Sequence, residues 1–149
     1  MNTSKLTPGN IVILAAGAVM LIGSFLAFYK ISFLGVSQSW NAWGGENALL
    51  LFPLTTFIVL FGIAMAAHVA VTTFASVDLP DRVLGFTWNQ IHLILGFQAT
   101  IMMLAYLIRD KGGLDLGVGF WLMLLSAIAL LVGAILRARE AESTTPQAW

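Results

Sequence analysis

Two histidines are the residues best suited to chemistry in this chain. His68 lies a little over one turn from the end of one apolar run, and His92 lies at a similar depth inside the next. The connection between the runs is short, so if both are helices they are antiparallel and the two imidazoles sit at one level. Facing imidazoles are what a bis-imidazole haem or a metal requires. The rest of the set is missing, since neither a further ligand nor a propionate-binding arginine lies within reach inside the runs. Histidines buried in spans also serve as hydrogen-bonded packing residues, and that is the expectation here, with no cofactor.

A second pattern shares one of these residues. At ~100° per residue, Asn89, His92, Gly96 and Thr100 fall on one narrow helical face. Such a stripe should point into a bundle, where neighbours satisfy its polar groups and Gly96 admits a close approach. It reads as interhelical glue, with a polar passage or small-solute site as the alternative. Gln98 projects to the opposite face, toward a second protein contact or a partner chain.

The remaining chemistry is narrowed by absences. The sequence has no cysteine, which removes disulfides, thiolate catalysis and cysteine ligation. No Ser-His-Asp set, carboxylate cluster or phosphate-cradling glycine loop is visible. The apolar runs hold no Asp, Glu, Lys or Arg, the groups that ion-coupled transport usually needs within the membrane. No basic tract exists to neutralise nucleic-acid phosphates. The expectation is a protein that is not an enzyme.

Trp40-Asn41-Ala42-Trp43-Gly44-Gly45 is the other candidate. Paired tryptophans beside a span commonly anchor at headgroup level. Asn41 and Gly44 suggest a tight turn, which would make Trp40, Asn41 and Trp43 an ordered partner-binding patch.

These residues need elements to hold them, and composition names the elements. Of 149 residues, 59% are hydrophobic and 9% charged, against roughly a quarter charged in soluble domains; mean hydropathy is +0.91. Four runs are long enough for a ~30 Å hydrocarbon core: residues 10–29, 48–72, 86–108 and 117–136. The fold class is therefore all-α, an antiparallel four-transmembrane-helix bundle in one membrane domain. Residues 30–47 make one longer outer loop, with Gly35 between two strand-like stretches. Ala16-Gly17-Ala18 resembles a cleavage site, but too short an apolar stretch precedes it, so the first run is retained as a span.

Helix ends are marked by Thr7-Pro8, by the Thr87-to-Gln90 capping box, and by Asp115 as a cap for the fourth helix. Pro53 makes the second helix start late or kink. Gly62-x-x-x-Ala66-x-x-x-Ala70 and Ala129-x-x-x-Gly133 favour close packing, within the chain or between copies. The tail 140–149 reads as disordered, and no internal repeat is apparent.

Lys5, Arg82, Arg137 and Arg139 fall on the side of the termini, against Lys30, Arg109 and Lys111 on the other. This places the termini in the cytoplasm by the positive-inside rule, in a multi-pass protein of the plasma (inner) membrane.

Lys5-Leu6-Thr7, Gly9-Asn10-Ile11-Val12, Ser24-Phe25-Leu26 with Phe28-Tyr29, and Trp40-Asn41-Ala42-Trp43 resemble an uncharacterised family of small four-span actinobacterial membrane proteins. The similarity covers the first third of the chain. It departs at Ala27-Phe28, where that family carries Pro-Trp. The resemblance implies architecture and no activity. Together these features suggest a small subunit or assembly factor that meets the lipid bilayer and a membrane-protein partner or a second copy. A haem-binding electron carrier on His68 and His92, or a passive pore along the third-helix stripe, are the alternatives.

Overall fold

The computed structural model describes residues 6–44, 54–75, 77 and 79–144. Within them, four helices are long and apolar enough to cross a membrane: α1 (Pro8–Phe25), α2 (Leu54–Ala70), α3 (Trp88–Ile108) and α4 (Val118–Thr144). A π-helical turn, Val71–Ala75, extends α2. The helices form a four-sided arrangement: α1 packs between α2 and α4, and α3 closes the square against α4 and α2.

Small residues set the closeness of this packing, and they do so within the chain. Gly17 lies over Ala66, where an added Cβ would come within 2.5 Å of the alanine Cβ. Gly133 receives Ile13 of α1, and Gly62 sits beneath Met20 and Leu130. The Gly62/Ala66 row and Gly133 thus join α1 to its two neighbours. The interior between them is filled by Ile13, Met20, Ile58, Met65, Met103, Phe120, Met123 and Leu130, all fully buried.

The expected caps are present at two helices. Thr7 caps α1 with Pro8 at its first turn, and Thr87 with Gln90 forms a reciprocal capping box on α3. At α4 the expectation fails, because Asp115 is held in a strand. The first turn of α4 is served instead by the chain after α1: the Gly117 N–H donates to the Phe28 carbonyl and the Gly119 N–H to the Ala27 carbonyl, each at 2.8 Å. The description of α2 begins at Leu54, so the expected span residues 48–53, Pro53 included, lie outside the described residues.

The molecule is also not wholly helical. The outer loop, with its two strand-like stretches about Gly35, contains β1 (Tyr29–Phe33) and β2 (Val36–Trp40), an antiparallel hairpin. The strand β5 (Asp115–Leu116), from the α3–α4 connection, pairs with β1, giving the order β2-β1-β5. A second, minimal hairpin joins β3 (Arg82–Val83) to β4 (Phe86–Thr87), directly before α3. The first apolar run overshoots α1 for a physical reason. Phe28 and Tyr29 are as buried as helix residues, but Phe28 lies in the bend after α1 and Tyr29 opens β1.

The tail shows the opposite error. Residues 140–144, expected to be disordered, continue α4. Glu140 accepts a hydrogen bond from the Gly9 N–H at 3.0 Å, tying this last part of the helix to the start of α1. Residues 145–149 lie outside the described residues.

Candidate functional site

At the end of the bundle that carries the chain termini, α2 and α3 bring the two histidines together. His68 Nδ1 and His92 Nε2 are 3.0 Å apart, with the rings nearly perpendicular. Trp88, in the first turn of α3, stacks on His68 at 3.9 Å. Arg137 reaches in from α4, placing Nη1 at 3.4 Å from the same His68 Nδ1.

That arrangement assigns the tautomers. A guanidinium only donates, so His68 Nδ1 is the acceptor. His92 Nε2 then carries the hydrogen that it donates, and the His68 hydrogen sits on Nε2. His68 Nε2 and His92 Nδ1 are both buried and have no partner among the described residues. One is a donor and the other an acceptor. Beside them lies a cavity of about 270 Å³ lined by His68, Thr72, Asp81, Trp88, Asn89 and Arg137. The π-helical turn at Val71–Ala75 widens the end of α2 next to it, and the Thr72 hydroxyl donates back to the His68 carbonyl at 2.9 Å.

The geometry does not fit a bis-imidazole haem. With metal–nitrogen bonds of ~2 Å each, an iron between two imidazoles holds the facing nitrogens roughly 4 Å apart across a macrocycle. Here the facing nitrogens bond to one another, and no space separates the rings.

The third-helix stripe is used for packing. His92 is 1% exposed and held by His68. Gly96 faces the α4 backbone at Leu130 and Leu131, where a Cβ would come within 2.9 Å of the Leu131 Cα. The Thr100 hydroxyl lies 2.8 Å from the Gly96 carbonyl and 3.0 Å from the Ala127 carbonyl. Along this face α3 packs directly on the α4 backbone. Asn89, at the top of the stripe, lines the cavity. Gln98 faces outward from the bundle.

At the other end, the tryptophan loop is ordered and folded onto the bundle. The Asn41 side chain accepts from the Trp43 backbone N–H at 3.1 Å, the turn its residue type favours. Trp43 stacks on Phe25 at 5.8 Å and donates its indole N–H to Ser24 Oγ at 2.8 Å. Ala42, fully buried, donates to the Ser24 carbonyl, while its own carbonyl accepts from the Thr55 and Thr56 hydroxyls. The Trp40 ring packs against the core, and its carbonyl accepts from the Phe28 N–H at 2.7 Å. Nearby, burial raises the pKa of the Tyr29 phenol above its ordinary value, with the Arg109 charge opposing.

The apolar groups that this end presents outward are others. Phe33, Leu34 and Val36, at the hairpin tip, are 71%, 89% and 67% exposed. Leu34 holds φ +48°, a left-handed conformation that costs a non-glycine residue roughly 1–2 kcal/mol. The β3–β4 hairpin has the same device: Leu84 is at φ +52°, 93% exposed, and is followed by Gly85.

Sequence reasoning missed two features. Arg137 looks in the sequence like a charge beyond the last span, although Leu130, Ala134 and Arg137 recur at helical spacing, the first two fully buried. The repeated Leu-Gly turns, Phe33-Leu34-Gly35-Val36 and Val83-Leu84-Gly85-Phe86, were visible as near-mirrored tetrapeptides. Comparison of the chain with family models, curated proteins and solved structures finds no match.

Proposed function

We propose that this is a non-enzymatic, multi-pass membrane protein that works by protein contact, as a small subunit or assembly factor of a membrane complex. In this reading the four helices span the plasma (inner) membrane, the termini are cytoplasmic, and the β1–β2 hairpin faces outward. The observation that carries the reading is the hairpin tip. Three large apolar side chains project from a hairpin whose base is tied to α1, α2 and the start of α4 by backbone and hydroxyl hydrogen bonds. A soluble tip gains nothing from Phe33, Leu34 and Val36, and Leu34 adds backbone strain where Asn or Gly would add none. A rigid apolar projection held at such a cost suits a preformed partner surface, because little ordering entropy is lost on docking. Trp40 and Trp43 serve this function by fixing the hairpin, with the exposed edge of Trp43 at its margin.

The resemblance of short motifs in the first third of the chain to small four-span actinobacterial proteins would imply this architecture and names no activity. The test is a photoreactive residue placed at Leu34 and, separately, at Phe57, an exposed position on the apolar surface of α2. In native membranes the Leu34 position is expected to yield a discrete protein adduct and the Phe57 position lipid adducts. Lipid adducts alone from Leu34 would contradict the reading. An adduct of twice the chain mass would identify the partner as a second copy.

A further inference from the structure

The cavity beside the two histidines has a separate use. We propose that it binds a phosphate group, held by Arg137, by the N-terminus of α3 and by the neighbouring His68 imidazole.

Arg137 is the first part of the argument. It follows an apolar run that ends at residue 136, which sets it at headgroup depth for a spanning α4. Among the described residues its guanidinium bonds only to His68 Nδ1, at a long 3.4 Å. A guanidinium has five donors in a planar fork suited to an oxyanion, so most of its capacity is unused. The carboxylate of Glu140, one turn on, accepts from the Gly9 N–H through Oε1 and also acts electrostatically on this guanidinium, so it competes with an anion for part of the charge.

The second part is independent of charge. His68 is 8% exposed and its Nε2 has no partner. With the His68 hydrogen on Nε2, a buried donor is left without an acceptor among the described residues. Such a group is costly unless something accepts from it. His68 also lines the cavity.

The third part is the start of a 21-residue helix. The capping box takes the N–H groups of Thr87 and Gln90. Those of Trp88 and Asn89 have no acceptor among the described residues, and both residues line the cavity. Unused N–H groups at the positive end of a helix dipole favour an anion. Asp81, also in the lining, opposes it. A monoanionic phosphodiester therefore suits the cavity better than a dianion, and about 270 Å³ accommodates one with part of its substituents. The phosphate has two sources, a phospholipid headgroup of the adjacent leaflet or a free phosphate.

The test uses the full chain in neutral detergent and follows the Trp88 indole N–H resonance, assigned through Trp88→Phe. Short-chain phosphatidylglycerol, inorganic phosphate and a matching diacylglycerol are titrated separately. Saturable shifts with phosphatidylglycerol alone support the site with a lipid source. Saturation by inorganic phosphate at similar affinity supports it with a free anion. Arg137→Gln is expected to weaken binding at least tenfold, while Arg139→Gln leaves it unchanged. Asp81→Asn, on the rim and remote from the packing, is expected to tighten binding about threefold; it keeps the test intact if Arg137→Gln fails to fold. No saturation, equal binding of the diacylglycerol, or equal effects of the two arginine variants would overturn the proposal.

Discussion

The two hairpins turn on the same Leu-Gly pair at opposite ends of the bundle, and the regions beneath them differ. Below β1–β2, Trp43, Ser24, Thr55 and Thr56 and the Ala42 carbonyl all answer one another, with the buried Tyr106 hydroxyl as the exception. Below β3–β4, the two histidines satisfy half of their nitrogens and leave the other half open, next to a cavity and a guanidinium. At the first end these hydrogen bonds brace an exposed apolar tip, and a cavity of about 360 Å³ lined by Tyr29, Arg109, Asp110 and Lys111 opens beside it. The second end leaves one buried donor and one buried acceptor without partners among the described residues, next to its cavity. The same turn sits on a hydrogen-bonded base in one place and beside an imidazole- and guanidinium-lined cavity in the other, which is the contrast behind the two proposals.

The largest effect is expected where the presenting platform is footed. Gly119→Val would put a Cβ about 2.6 Å from both the Gly23 and Leu26 carbonyl oxygens, backbone atoms that cannot swing aside. We expect a loss on the order of 4 kcal/mol or more, seen as aggregation in size-exclusion chromatography. A monodisperse variant would mean that α1 and the start of α4 do not meet as described.

Next comes the packing that both ends share. Ala66→Leu enlarges the residue beneath Gly17, and overpacking of this kind costs about 1–3 kcal/mol. Thermal melting in detergent should fall accordingly. A wild-type melting curve would place Ala66 toward lipid.

Trp43→Phe keeps an aromatic on Phe25 but removes the donor to Ser24. Loss of one such bond is worth roughly 1 kcal/mol, and photocrosslinking from Leu34 should weaken with it. Unchanged stability and crosslinking would return Trp43 to the role of a lipid anchor.

The smallest effect on stability has the most informative sign. Leu34→Asn relieves the left-handed leucine and should stabilise the fold by about 1 kcal/mol, while reducing partner capture. A variant that is more stable and still captures the partner fully would show that the leucine serves no contact.

Much of the helical frame was legible because a continuous apolar run of about 20 residues has few soluble alternatives. The boundaries were less so. Hydropathy does not distinguish the end of α1 from the buried Phe28 and Tyr29 that follow, and it stops at Arg137 although the helix does not. The pairing of His68 with His92 was foreseeable from their matched depths on adjacent antiparallel helices. The third member of the cluster was not, since a charged residue after a span looks like a topological signal until α4 is seen to carry it back over His68. The hairpin showed as two strand-like stretches about Gly35, but its pairing with β5 did not, because a two-residue strand gives no period of alternation to read.

The most direct test of the central claim, a presenting end and a binding end on opposite sides of a membrane, uses the absence of native cysteine. Leu34→Cys and Leu84→Cys are labelled in intact cells with a membrane-impermeant maleimide, and again after purification. The account predicts that Leu84→Cys reacts only once the membrane is opened. Leu34→Cys should react from outside, at least tenfold more slowly in native membranes than in purified protein, because a partner covers it. Reaction of both positions in intact cells, or an equal rate at Leu34→Cys with and without its native surroundings, would contradict it.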